Sequence, residues 1–153
     1  MMKYEILQNE SRQVADKKLY RICALRDIPQ RGVKAGDVGG WIESEYNLSQ
    51  DGDAWVSGDA CVYDDAWVCG SAWVSGNACV SGNAWVYGDA QVSGNAWVCG
   101  NACVYGNAQV SGNACVYDDA QVSGNACVYD DAWVSGKAWV SGKARVSGNA
   151  CVR

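Results

Sequence analysis

From Ala54 to Val152 the chain is one pattern repeated without interruption, Ala-x-Val followed by three residues, with Ala at 54, 60, 66 and onward to 150 and Val always two positions later. Residues two apart in an extended segment share a face, so Ala and Val line one side and the residues between and after them point the other way. The shared side is the expected core. The pairs that follow Val-x are Gly-Asn, Gly-Asp, Gly-Lys, Gly-Ser or Asp-Asp, types that accept positive φ or build tight turns, and the chain is expected to bend once per hexad. Because the phase never reverses, one unit cannot pair with the next as a hairpin, and the chain must coil with successive turns stacked as parallel strands. Three hexads per turn give a triangular coil of 18 residues. Ile42 and Leu48 carry the six-residue phase backwards, and the eight-residue step from Leu48 to Val56 marks a two-residue insertion near Gly52-Asp53. About six coils are therefore expected, beginning near Trp41.

Residues 3–7 and 18–26 read as strands, with Pro29 and the glycines at 36, 39 and 40 marking a junction. The expected organisation is an amino-terminal capping hairpin and junction over 1–40 and the repeat over 41–153. A stacked coil leaves an open strand edge at its start, which a hairpin would cover. The fold class is thus all-β, a single-stranded parallel β-helix with an amino-terminal β-hairpin cap.

Composition excludes several functions. The 153 residues contain no His, which removes Ser-His-Asp hydrolysis, Cys-His proteolysis and His-ligated zinc. Charge is uneven: residues 1–50 carry eight Lys/Arg against seven Asp/Glu, and 51–153 carry four against ten. An acidic repeat repels phosphate backbones, so nucleic acid is not an expected partner. No apolar run reaches the roughly 20 residues of a membrane helix, and Met1 to Leu7 lack the apolar core of a signal peptide. The reading is a cytoplasmic protein without membrane or cofactor. Nine cysteines, an odd number with no Cys-x-x-Cys pair, occupy slots that Trp, Gln or Ser fill elsewhere, and they read as structural thiols rather than a zinc site.

The period-six pattern, with a small residue two before the aliphatic one, resembles the hexapeptide-repeat family, and that resemblance implies a left-handed winding. A second resemblance rests on Val33-Lys34-Ala35-Gly36-Asp37-Val38-Gly39-Gly40-Trp41-Ile42-Glu43, on Asn47-Leu48-Ser49-Gln50 and on Gly52-Asp53-Ala54-Trp55-Val56. These segments look like the opening of YdcK-type proteins, bacterial and bacteriophage chains of largely unknown role. Hexapeptide acyltransferases generally use a His base at a trimer cleft, and no such residue exists here. Neither catalytic nor metal residues are assigned.

An 18-residue turn sorts the outward residues into columns. One stacks Trp55, Trp73, Gln91, Gln109, Cys127 and Arg145; a second stacks Cys61, Cys79, Trp97, Cys115, Trp133 and Cys151; the third stacks Trp67, Trp85, Cys103, Gln121 and Trp139. Cys61 and Cys79 become vertical neighbours at a spacing a disulfide can span, with side chains pointing the same way. In the third column, Trp67, Cys69, Trp85, Tyr87, Cys103 and Tyr105 form one outward apolar patch, the sort of surface that marks an interface. Stacked like residues can also simply stabilise a sheet. The expected function is a non-catalytic scaffold that self-associates into a homo-oligomer, or docks a protein partner, through this face. The alternatives are a binder of small nucleotides or sugars between protomers and a diverged acyltransferase-like protein. Aligned Asn corners and the Asp64-Asp65, Asp118-Asp119 and Asp130-Asp131 pairs read as turn structure, the Asp pairs as solvated turns.

Overall fold

The computed structural model describes residues 2–153. It is an all-β parallel solenoid of about six turns with 18 residues per coil. Four longer pieces precede the regular part: β1 (Tyr4–Val14), β2 (Lys17–Ala24), a 3-10 turn at Pro29–Arg31 and β3 (Val38–Ile42), followed by a second 3-10 turn at Glu45–Asn47. Seventeen two-residue strands then run from β4 (Trp55–Val56) and β5 (Cys61–Val62) to β20 (Cys151–Val152), one per hexad. They sort into three sheets, and every third strand is a neighbour, so that Trp73 pairs with Gln91, Cys79 with Trp97 and Trp67 with Trp85, all parallel and in register.

The Ala and Val positions explain the coil. From Ala54 to Val134 both residues of every hexad are buried completely. A larger residue at the Ala slot would crowd an interior this narrow, and a polar one would lie in it without water. Between coils the backbone pairs throughout: Cys79 N–H donates to Ala96 O at 3.0 Å, Ser81 N–H to Val98 O at 2.9 Å and Asn83 N–H to Gly100 O at 2.7 Å, and the same three bonds recur in the other coils.

Each bend is a turn closed by the next Ala, as where Ala96 N–H donates to Ser93 O at 3.3 Å. Its first central residue is left-handed. Gly94 has φ of 65°, and a Cβ there would lie 2.9 Å from the nitrogen of Gly112 in the next coil, so conformation and space both demand glycine. Three bends break this rule. Asp64, Asp118 and Asp130 hold φ of 58–59°, and each carboxylate accepts the N–H of a glycine one coil on, Gly82, Gly136 and Gly148, at 3.1–3.2 Å. These aspartates are therefore not merely solvated, as the sequence suggested: the added bond offsets the strain of left-handed backbone. The following corner residues form side-chain ladders, Asn77 to Asn95 to Asn113 to Asp131 and Asn83 to Asn101 to Asp119, at 3.1–3.3 Å.

The insertion lies where the phase placed it. Trp41 and Ile42 pair with Cys61 and Val62, and Leu48 bridges Val68, each twenty residues apart rather than eighteen. At Gly52, with φ of 71°, the extra length is absorbed, and the N–H groups of Asp53 and Ala54 both reach Gly70 O.

The amino-terminal strands differ in extent from the sequence reading. β1 runs to Val14 instead of ending at residue 7, because the polar stretch Gln8–Ser11 stays in the hairpin through a register shift between Leu7 and Ser11. β2 ends at Ala24, and a two-residue turn at Ala15-Asp16 joins the two. β3 then pairs antiparallel with β2 and parallel with β5, which joins the hairpin to the nine-stranded sheet.

Polar side chains of residues 1–50 satisfy the backbone of the first coil. Lys3 is wholly buried and its ammonium donates to Ala54 O at 2.7 Å. Tyr4 donates its hydroxyl to Leu48 O at 2.7 Å and sets its ring edge-on to Trp55. Asn47 accepts the N–H of Ser44 and donates to Ala66 O at 2.8 Å. Arg26 reaches Gly52 O, and Arg31 reaches Ser71 O while lying over the Trp73 ring. Burial, reinforced by the Arg26 charge, lowers Lys3 to about 8, and burial raises the Tyr4 phenol well above its usual range.

Two predictions follow from these contacts. Gly94→Ala should lower the urea midpoint by the equivalent of about 1–3 kcal/mol, whereas Gly94→Asp should recover part of the loss because its carboxylate reaches the Gly112 N–H. A pH series should show a second effect. Between pH 8 and about 10.5 the unfolded chain holds the Lys3 proton that the folded chain has lost, so stability rises with pH. Above about pH 10 the unfolded chain releases the Tyr4 proton that the folded chain keeps, and stability falls. Lys3→Met should flatten the rising limb and Tyr4→Phe the falling one.

Candidate interaction surface

The five-stranded sheet carries the sequence-predicted patch, and its geometry follows from two outward slots per hexad, one after Ala and one after Val. Residues in the first slot stack vertically, as Trp67 on Trp85 and Trp85 beside Cys103. Those in the second slot lean on the first slot of the following coil, sixteen residues on, as where Tyr105 donates its hydroxyl to Gln121 at 3.1 Å. Together these relations knit the rings into one strip. Trp67 meets Trp85 edge-on at 5.1 Å between centroids, Trp85 meets Tyr87 edge-on at 6.3 Å, and Tyr87 and Tyr105 lie parallel at 5.0 Å. Cys103 continues the ladder from Trp85, and Cys69 occupies the second slot after Val68; both are half-buried, and burial pushes both thiols up.

The structure therefore brings all six residues together. It also adds Tyr46, whose ring stacks on Trp67 at 6.3 Å from the 3-10 turn Glu45–Asn47. Sequence offered no signal for it, since the phase of Ile42 and Leu48 places Tyr46 in the inward slot that Ala fills elsewhere, whereas the 3-10 turn leaves it exposed. The strip is packed against itself yet remains partly open: Trp85 is 41% exposed and Tyr46 more so.

The other two faces are less uniform. On the six-stranded sheet the amino-terminal segment takes up the aromatic residues: Trp55 is buried beneath Tyr4, and Trp73 donates its indole N–H to Ser57 while Arg31 covers its ring. Farther along lies a polar groove of about 400 Å³ lined by Gln109, Ser111, Cys127, Tyr129, Asp130 and Arg145. The nine-stranded sheet exposes Trp97 and Trp133 singly, the latter edge-on to Tyr117. A second shallow groove at the hairpin junction is crossed by Lys17, which pairs with Asp64 at 3.5 Å and Glu43 at 3.9 Å, while Glu43 accepts the N–H of Asp64. Glu43 and then Asp64 raise the Lys17 ammonium above its ordinary value. This ion-paired corner ties β2 to the second coil.

Sequence reasoning missed a cluster at the hairpin. Arg12 from β1 donates to Cys61 Sγ at 2.6 Å and to Asp59 O at 3.1 Å, and its guanidinium lies 4.7 Å from the centre of the Trp41 ring. The only sign in the sequence is the concentration of Lys and Arg in residues 1–50. Among the described residues no three His, Cys, Asp or Glu side chains converge as metal ligands, and no helix is long and apolar enough to cross a membrane.

No curated protein is matched by the sequence. The central coils are another matter: residues 72–88, 108–124 and 120–136 each match the family model described as the YdcK Beta solenoid repeat. Those segments cover all three sheets of the solenoid, and its coils are similar in sequence, as they are in architecture, to that repeat.

Proposed function

We propose that this protein is a non-catalytic β-solenoid scaffold that self-associates through the strip Trp67, Cys69, Trp85, Tyr87, Cys103 and Tyr105. The observation that carries the reading is the strip itself, a run of rings in mutual contact that bears no charged side chain in an otherwise acidic repeat. Two acidic repeats repel one another across their charged surfaces, whereas this strip opposes no charge to its copy and can face it about a two-fold axis. Lack of His supports a non-catalytic role, since the base of the hexapeptide acyltransferases is missing. Nine unbridged thiols suit the reducing cytoplasm. Three sheets per circuit support a triangular section, the hexapeptide resemblance supports left-handed winding, and the bonds from Lys3, Tyr4 and Asn47 support the hairpin as a cap.

A second reading has one observation in its favour. The groove lined by Gln109, Tyr129, Asp130 and Arg145 offers a cation, an amide and a phenol beside a carboxylate bonded to Gly148 N–H, a set suited to the mixed donors and acceptors of a small nucleotide or sugar.

Light scattering during size exclusion tests the first reading. The wild-type chain should elute as an oligomer, and Trp67→Gln with Trp85→Gln, which places in both slots a residue the repeat itself uses at Gln91 and Gln121, should shift it to monomer with its circular dichroism intact. A monomeric wild type, or an unchanged oligomer in the double variant, would remove this face from the account. A thermal shift with nucleoside phosphates that Arg145→Gln abolishes would favour the second.

A further inference from the structure

Cys61 and Cys79 are the one pair of cysteines that the described residues place in register on neighbouring strands of the same sheet. Their side chains leave one face in the same direction, on parallel strands spaced about 4.8 Å apart. A disulfide needs Cβ atoms within about 3.5–4.5 Å and bonds that converge, and parallel stacking meets neither condition well. A metal ion with two sulfur ligands in a line has the opposite requirement. With each metal–sulfur bond near the ~2.3 Å of a zinc thiolate, the sulfurs stand about 4.6 Å apart, close to the spacing of the strands. Soft monovalent ions of the copper(I) class take thiolates as their preferred ligands, and do so with two.

We propose that Cys61 and Cys79 form a two-thiolate site for a soft monovalent cation, copper(I) or silver(I), with Arg12 as its charge partner. A monovalent ion between two thiolates carries a net charge of −1, and the Arg12 guanidinium, 2.6 Å from Cys61 Sγ, offsets it. Arg12 is itself held by Asp59 O and by the Trp41 ring, so the positive charge is fixed in place before any ion arrives. Cys61 is only 3% exposed, whereas Cys79 is half-buried. One ligand is dry and the other gives access. Ions that need four ligands find no cage, because a third donor is missing.

Binding joins the ion to both sulfurs and releases to solvent any thiol proton they carry, so the step balances and no electron changes hands.

The test is an anaerobic titration of the full chain with copper(I) against a competing chelator. The first equivalent should bind with two sulfur neighbours by X-ray absorption. Cys79→Gln, which uses the residue found in the same slot at 91, 109 and 121, should abolish that tight equivalent, as should Cys61→Ser. Arg12→Met, keeping the contact with Trp41, should weaken it about 10–100-fold. Cys99→Ser with Cys115→Ser should leave it unchanged. Retention of the first equivalent in a folded Cys79→Gln chain, or a three-sulfur signature, would overturn the proposal, and so would a Cys61–Cys79 disulfide in the air-exposed protein.

Discussion

Everything in this molecule depends on the parallel hydrogen-bond ladder between residues eighteen apart. A two-residue strand has almost no stability by itself, and each becomes ordered only because its N–H and C=O groups meet those of the coils before and after it. The narrow Ala and Val interior supplies the hydrophobic term but little volume per residue, so the ladder and the stacked exteriors must add to it. This is why the left-handed bends are so regular. A bend that missed its neighbour by one residue would turn the Val side chain outward and break three hydrogen bonds in each direction.

The ladder was legible in the sequence because it is periodic. Ile42 and Leu48 announced the phase, the eight-residue step to Val56 announced the insertion, and the columns that pair Trp73 with Gln91 or Cys61 with Cys79 follow by counting. What the repeat does not dictate was not legible. Tyr46 reaches Trp67 and Asn47 bonds Ala66 O from one 3-10 turn, and Arg12 reaches Cys61 across 49 residues. A single occurrence leaves no pattern, and an arginine near the start of a chain is one among several until the tertiary structure chooses it. The paired aspartates failed for a different reason: their composition reads as a polar turn, and the bond from Gly82, Gly136 or Gly148 depends on a partner eighteen residues away.

The amino-terminal fifty residues thus have a physical purpose that their charge alone does not reveal. Lys3, Arg12, Arg26 and Arg31 each direct hydrogen-bond donors to carbonyls or sulfur of the first coils, and the same segment buries Trp55 and covers part of Trp73. Farther along, Trp85, Trp97, Trp133 and Trp139 stay exposed, while Tyr46 of the segment itself stacks on Trp67. Which columns remain for contact is decided as much by where the hairpin lies as by the repeat.

Division of the circuit into three hexads also sets how this architecture tolerates a change in length. Adding or removing eighteen residues lengthens or shortens the prism and leaves each ladder of side chains aligned with itself. Adding six keeps every Ala and Val inside but rotates the whole downstream portion by one face, so that an insertion after Gly88 would set Trp97, Cys115 and Trp133 in line with Trp85 in place of Cys103, Gln121 and Trp139. The core reads the chain in sixes, the surface reads it in eighteens, and a surface with a job to do can grow only in the larger unit.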